Sequence, residues 1–433
     1  MIRVLGLTLA TLAAVVAWNL SVFLATSGGW LKSPIVKSDS SQAFAAAVEE
    51  AVTAEHIGNF GMTLIEDGEV AARYFMSTDT PVDGSSVYQV ASLGKWITAW
   101  GLMTLVEEGT IDLDTPISEY LTRWQLPESA FDSSGVTVRR LLSHTAGLTD
   151  GLGYDGFDRT EEVQSLEASL ARALDASPGN SGIIELGAEP GSEWNYSGGG
   201  YTVLQLLIEE VSGQSFSEFM SERVFTPLGM ERTTFNHQEA KAFGLAQNFD
   251  LNGDTEPFRM YTALAATSLF TSAEDLALFI KAQATPGTQS VLTEKSLGLI
   301  RMPHASQMGA DIWGLGAMLY APNNDGGYII GHDGNNGPAI NTVARFDPAT
   351  GDGVVILSTG SEMLATELAG EWVFWKSSNI DSLMFLMSIG TMAIWMGGGS
   401  ILLIILGIGY GWRHRTSKKQ STAEAPTTVE IMT

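Results

Sequence analysis

The stretch Val87–Trp96, VYQVASLGKW, passes from a β-branched and aromatic run into an apolar run that continues to Val106. It predicts an extended segment over Val87–Val90 and a helix over about Ser92–Val106, ended near Gly109. Ser92 and Lys95 stand three apart where the helix begins. On a helix that spacing puts two side chains on one face, so the amine can reach the hydroxyl. By itself the pattern favours a capping serine and a solvated lysine, because chance copies of Ser-x-x-Lys are common.

The surroundings of this stretch set the architecture. Upstream, QAFAAAVEEAVTAEHI at 42–57 has helical periodicity. Phe60–Ile65 and Val70–Met76 read as two strands joined at Glu66-Asp67-Gly68-Glu69, where glycine accepts the positive φ a tight hairpin needs. Downstream, about 110–265 is poor in strand patterns, with helices expected over roughly 160–175 and 200–212. Thr271–Gln283 follows as a well-started helix, with Glu274 and Asp275 in its first turn. From Asp311 alternation returns in WGLGAMLY, GGYIIGHDG, AINTVARFD and GVVILSTG, four expected strands, before a helix over 362–376. Two early and four late strands with helices between predict an α+β sandwich. Its discontinuous antiparallel sheet, from parts about 42–90 and 265–377, is flanked by helices, and a mostly helical part spans about 91–264.

Composition removes several function classes. The 433 residues contain no cysteine, which excludes thiol catalysis, disulfides and thiolate-bound metal. Six histidines show no metal-ligand spacing, so neither a metal site nor a cofactor is expected. A formal charge of −26 opposes nucleic-acid binding.

The two ends are apolar. Residues 4–25 are long enough to cross a bilayer, and residues 1–27 read as a retained anchor or a cleaved signal peptide. Residues 382–412 carry no charge and predict one crossing. A second crossing, with a turn at Gly397–Ser400, is the competing reading. The tail 413–433 is basic, then polar. Arg3 at one end and Arg413, Arg415, Lys418 and Lys419 at the other place both ends in the cytoplasm and the intervening domain outside. The lipid bilayer is thus an expected partner through the termini.

Further segments fall in a familiar order. After QVASLGK come VEEGTIDLDTPISEYL at 106–121, RLLSHTAGL at 140–148 and YSGGGYTVLQLLIEEVSG at 196–213. LFTSAEDLALF at 269–279 and GHDGNNGP at 331–338 complete the set. Together they resemble the serine β-lactamase-related hydrolases, a group containing class C β-lactamases, D-Ala-D-Ala carboxypeptidases, D-aminopeptidases and esterases. The resemblance covers about residues 42–377, and Ser92-x-x-Lys95 matches the family's nucleophile element.

The resemblance implies Ser92 as acylated nucleophile, Lys95 as the group that helps remove its proton, and Tyr196 as partner base and proton donor to the leaving group. It places His332-Asp333-Gly334 where relatives usually carry Lys-Thr-Gly. His332 and Gly334 then border the substrate, and Asn335 shares the oxyanion hole with the Ser92 N–H. The implied substrate is a small peptide, ester or β-lactam-like molecule. Elementary chemistry agrees: a serine hydroxyl needs an acceptor for its proton, and a lysine serves only if desolvated or set beside other cations. Trp96 and Trp100 are the expected source of that burial. His144, in His-Thr-Ala-Gly-Leu, reads as structural, and Asp112 and Asp114 as turn formers. Trp194, Tyr154 and Phe157 read equally as cleft residues or as core or surface residues.

Two positions depart from the family pattern. Tyr196-Ser197-Gly198 lacks the usual amide of Tyr-x-Asn, a task that falls to Asn335, Asn336 or water. His332 replaces a lysine and, with Asp333 beside it, makes a weak anchor for a substrate carboxylate, so a free carboxylate terminus is not the expected preference. The alternatives to hydrolysis are a weakened ligand-binding or regulatory module of the same fold, or a function carried by the membrane block.

Overall fold

The structure is a computed structural model that describes residues 2–149, 153–284, 287, 289–337 and 340–423. Residues 150–152 of the glycine-rich loop, Pro338 of GHDGNNGP and the tail beyond residue 423 lie outside the described residues. The chain divides into two units, Pro34–Ser382 and a terminal unit of Met1–Ser33 with Leu383–Thr433.

The larger unit is an α+β sandwich. Its strands are β1 (Phe60–Glu66), β2 (Glu69–Met76), β3 (Val87–Gln89), β4 (Asn248–Phe249), β5 (Thr255–Glu256) and β6 (Phe270–Ser272), then β7 (Ala305–Gln307), β8 (Ala310–Trp313), β9 (Met318–Pro322), β10 (Tyr328–Asn336), β11 (Ile340–Phe346) and β12 (Gly353–Thr359). Eight of them form one sheet in the order β2-β1-β12-β11-β10-β9-β8-β7, antiparallel throughout. The β1–β2 turn takes positive φ at Asp67 (51°) and Gly68 (74°), as the tight hairpin requires.

Strand alternation divides the core between two faces. Phe60, Met62 and Leu64 of β1, Val354 and Ile356 of β12 and Val343 of β11 pack against the helices Ser41–Glu55 and Leu364–Ser377. Val355, Leu357, Ala344, Phe346 and Ile330 face the other way, into a larger core shared with the helices Gly94–Glu107, Gly198–Ser212 and Ala273–Ala284.

Three expectations need correction. The late sheet has six strands rather than four. WGLGAMLY is not one strand: it contains the end of β8, a turn through Gly316 (φ 76°) and the start of β9. A side chain at Gly316 would stand 2.4 Å from the Ala99 Cβ, so the turn is pressed onto the Gly94–Glu107 helix. The edge strand β7 was illegible because Ser306 and Gln307 are exposed and carry no apolar alternation.

The expected helix over 160–175 shrinks to a 3₁₀ turn at Thr160–Glu162 and a short α-helix at Leu166–Ala171. Beyond it the backbone is pulled straight by cross-pairing. Ala173 N–H donates to Gly182 O at 2.7 Å, Asp155 N–H donates to Asp175 O at 2.8 Å, and Tyr154 bridges Ala176. Likewise Thr271 and Ser272 belong to β6, paired with β3, and the helix starts at Ala273. The Ser272 hydroxyl still accepts from Asp275 N–H at 3.1 Å, the capping role its sequence suggested.

In the terminal unit, Ile2–Ser27 and Ser382–Ala423 are long helices, and the second runs without a break through Gly397–Ser400. The stretches Leu5–Ser27 and Ser382–Arg413 are apolar and long enough to cross a membrane. They pack antiparallel: Trp18 Nε1 donates to Trp395 O at 2.9 Å and Asn19 Nδ2 to Ser400 Oγ at 2.9 Å, while Phe23 meets Phe385 edge-on.

Candidate active site

The site is built where the Val87–Trp96 stretch turns. β3 pairs with β6, and Val90 N–H donates to Leu269 O at 2.9 Å, so the chain arrives extended. Ala91 then takes φ 47°, a conformation unfavourable for any residue with a Cβ, and a 3₁₀ turn at Ala91–Leu93 leads into the helix. The kink is held from across the sheet. Thr342 Oγ1 donates to Val90 O at 2.8 Å, and Gly334 of β10 lies so near that a Cβ there would sit 2.0 Å from the same oxygen. Ser92 is the half-exposed residue at this bend.

Lys95 is 2% exposed. Its Nζ donates to Ser92 Oγ at 3.0 Å and to Ala266 O at 2.6 Å, so the spacing seen in sequence becomes a direct hydrogen bond. The desolvation that a lysine base needs is present, but not from Trp96 and Trp100. Those rings pack on Phe279 with centroids 5.0 and 4.9 Å away. Helix geometry turns neighbours at positions 95 and 96 about 100° apart. The Lys95 amine lies instead 5.0 Å from the Tyr196 ring centre and 5.4 Å from that of Tyr201.

Tyr196 is hydrogen-bonded to Ser92. Burial of its phenol end pushes the hydroxyl above its ordinary range, so it is protonated at neutral pH. The ring leans on His144, centroids 4.3 Å apart. His144 is 2% exposed; its Nδ1 accepts from Ser197 N–H at 3.1 Å and its carbonyl accepts from Asn195 N–H at 2.8 Å. Burial, reinforced by Lys95, holds this imidazole well below its usual range, so it is neutral with its proton on Nε2. Its contacts are those of a clamp on residues 195–197. Ser197 in turn caps the Gly198–Ser212 helix through Gly200 N–H at 2.7 Å.

β10 supplies the opposite wall. It pairs with β9 only as far as Gly331 but with β11 through Asn336, which leaves residues 332–336 without a strand neighbour on one edge. His332 lies opposite Ala344 and Asp333 opposite Val343, so the two neighbours face different cores. This corrects the expectation that Asp333 shapes the substrate rim. Its carboxylate accepts from Tyr320 Oη at 2.6 Å and Thr366 Oγ1 at 2.6 Å and pairs with Arg345, which also binds the buried Asp381 at 2.9 Å.

His332 is 1% exposed, and burial followed by the nearby Lys95 lowers it to about 3, so it is a neutral residue. Strand parity sends the Asn335 amide to Glu362 O, while Asn336 stays on the cleft side and donates to Tyr261 Oη.

Ser92, Lys95, Gly198, Asn335 and Asn336 line one cleft of about 340 Å³. Tyr154 borders it too, whereas Phe157 is buried and Trp194 meets His144 edge-on and Trp313 at a tilt. Sequence reasoning missed Ala266 and Thr267, which enter through a four-residue helix with no motif, and Asp155 and Ser177, which come from the cross-paired rim. Among the described residues no group of His, Asp and Glu side chains is placed to hold a metal.

An antiparallel sheet with helices on both faces and a serine–lysine–tyrosine constellation under β10 defines the class of serine hydrolases to which β-lactamases and penicillin-binding proteins belong. The Beta-lactamase family pattern matches residues 44–371, and the chain belongs to that family. It is 27% identical over 330 residues to "Penicillin-binding protein 4" of Amycolatopsis lactamdurans, covering 71% of this chain and 82% of that one. Other curated relatives are longer, and the chain spans 63% of their length. Among solved structures, the octameric penicillin-binding protein homologue from Pyrococcus abyssi superposes with TM-score 0.65 at 25% identity, over 78% of each chain. The D-amino acid amidase from Ochrobactrum anthropi SV3, solved with D-phenylalanine, shares the fold with TM-score 0.62 at 22% identity, over 78% of this chain and 99% of that one.

Proposed function

We propose that the protein hydrolyses an amide or ester through an acyl-enzyme on Ser92. The observation that carries this reading is the Lys95 Nζ–Ser92 Oγ hydrogen bond of 3.0 Å, made at the cleft by a buried amine that lies 5.0 Å from the Tyr196 ring centre. In the first step Ser92 Oγ bonds to the substrate carbonyl carbon and its proton passes to the Lys95 amine, which accepts it in its neutral form because the Tyr196 phenol already carries a proton. The N–H groups of Ser92 and Asn335 would receive the developing oxyanion, each contributing about 3–4 kcal/mol. The carbon–leaving-group bond then breaks, and Tyr196 hands the proton to the departing nitrogen or oxygen. Water reverses the sequence, releasing the acid and restoring the Ser92 hydroxyl. With His332 neutral, that part of β10 offers no positive charge to a substrate carboxylate.

A fluorophosphonate or penicillin-type probe, followed by intact-mass measurement, tests this. The wild type should gain one adduct on Ser92 and the S92A variant none. Unlabelled but folded wild type, or saturable ligand binding without turnover, would move the assignment to a binding module.

We further propose that the two terminal helices cross a bilayer as a retained pair, with the hydrolase unit extracytoplasmic. Interhelical bonds from Trp18 and Asn19 support retention, since a cleaved signal peptide would have no lasting partner to pack against. The N-terminal residue of the mature protein decides it: a start near residue 26–28 would remove the anchor.

A further inference from the structure

The end of β10 that borders the cleft has a strand neighbour on one side only, since β9 leaves it at Gly331. Such an edge lacks half of the hydrogen bonds that hold a strand in place. The same segment carries His332, Gly334 and the Asn335 N–H. Its support comes from the face turned away from the cleft. There the Asn335 amide donates to Glu362 O, and the Asp333 carboxylate accepts from Thr366 Oγ1 at 2.6 Å and from Tyr320 Oη at 2.6 Å while pairing with Arg345. Thr366 is itself fixed by Asn341, whose Nδ2 donates to its Oγ1 at 3.0 Å and whose Oδ1 accepts from its N–H at 3.1 Å. One carboxylate thus joins β9, β10, β11 and the helix Leu364–Ser377. Arg345 extends the set: its guanidinium lies 3.6 Å from the Tyr320 ring centre, and its Nε donates to Asp381 at 2.9 Å, with both of these side chains wholly buried. Asp381 is the residue immediately before the apolar helix Ser382–Ala423. Two carboxylates around one buried guanidinium lose in desolvation much of what they gain in attraction, so packed apolar side chains would stabilise the fold about as well. What hydrogen-bonded charges add is direction.

We propose that Asp333, held by Arg345 and Asp381, is a positioning residue for the hydrolysis: it sets residues 332–336 against the Ala91–Leu93 turn, and with them the placing of the Asn335 N–H relative to the Ser92 N–H. The inference rests on the reading of Ser92 as nucleophile. Asp333 makes no bond to Ser92, Lys95 or Tyr196 and acts through its chain neighbours. Gly334, the next residue, transmits the constraint, because a Cβ there would sit 2.0 Å from Val90 O and the two backbones have no slack between them. A shift of β10 is therefore felt at the turn that bears the nucleophile. The Arg345–Asp381 pair ties the same segment to the point where the chain enters its apolar C-terminal helix.

The test follows labelling of Ser92 by a fluorophosphonate probe on the purified full-length protein, reading the rate constant and the final labelled fraction separately. D333N removes one of two acids around a single guanidinium and leaves Arg345 and Asp381 as a neutral pair, so this variant should fold. Its rate constant should drop by about tenfold to 10²-fold, the loss expected when reacting groups are misplaced by up to about 1 Å, while the labelled fraction stays that of the wild type. A merely structural role would lower the fraction and leave the rate constant alone. The triple variant D333N/R345M/D381N removes the buried charges altogether. It should melt no lower than D333N and still label as slowly. A wild-type rate constant in D333N, or its recovery in the triple variant, overturns the proposal. A folded wild type with Ser92 unlabelled would instead overturn the nucleophile reading, and this proposal with it.

Discussion

The amine of Lys95 and the hydroxyl of Ser92 are 3.0 Å apart, and the same amine is held from behind by the Ala266 carbonyl at 2.6 Å. Two acceptors fix the position of the nitrogen, so the serine meets a preset partner rather than a mobile side chain.

Lys95 and Tyr196 should therefore behave as one device. K95M and Y196F are each expected to slow acylation of Ser92 by about 10²–10⁴-fold, the span of general acid–base assistance. The double variant should be little slower than the worse single one, because either loss stops the same proton transfer. Single-turnover acylation rates check this. Multiplicative losses would separate the two residues into independent roles.

Gly334 is predicted to be intolerant of even a methyl group. In G334A the new carbon would stand 2.0 Å from Val90 O and 2.5 Å from Thr342 Oγ1, so β10 and the Ala91–Leu93 turn must part. A displacement approaching 1 Å at the nucleophile costs on the order of 10²-fold in rate. Labelling rate and melting temperature together test it, with the rate expected to suffer more. An unimpaired rate would show that β10 does not position Ser92.

Acid should destabilise the protein partly through His332. Its folded value is lowered to about 3 from an ordinary 6.5, so between those values the unfolded chain binds the extra proton and stability falls as pH drops. The slope is at most about 1.4 kcal/mol per pH unit for one such group. Asp175, raised to about 6, works with the opposite sign between its ordinary value of 3.8 and 6. Urea unfolding of wild type and H332Q between pH 7 and 5 isolates the term: the variant should have the shallower dependence. Equal slopes would mean that His332 is not buried neutral.

The terminal helices offer a covalent test, because the chain contains no cysteine. A Cβ built on Gly407 lies 3.4 Å from the Thr11 Cβ, close to the range disulfides require. T11C/G407C should close an intramolecular disulfide under mild oxidation, seen as a mobility shift that reductant reverses. Formation of intermolecular dimers alone, or no cross-link, would contradict the antiparallel pair.

Much of the site was readable because its chemistry is local in sequence. Ser92 and Lys95 are one helical turn apart, and Tyr196, His332, Gly334 and Asn335 lie in short motifs that stand out without coordinates. Side-chain direction was less accessible. Asp333 and His332 are neighbours in the chain, yet strand alternation sends one to Arg345 and the other toward Tyr196. Trp96 follows Lys95 but packs on Phe279, leaving Tyr196 and Tyr201 beside the amine.

The amino-acid order alone determined the hairpin at Asp67-Gly68, the antiparallel α+β plan, the apolar ends and the Ser-x-x-Lys spacing of the candidate site. These follow from periodicity, turn chemistry and short-range spacing. Only the tertiary structure decided that Ala266 holds the lysine, that Gly334 bears on Val90, and that Asp155 and Ser177 border the cleft. Those contacts join residues up to 244 positions apart. A long-range approach is fixed by how whole layers pack, and no local pattern in the chain encodes that.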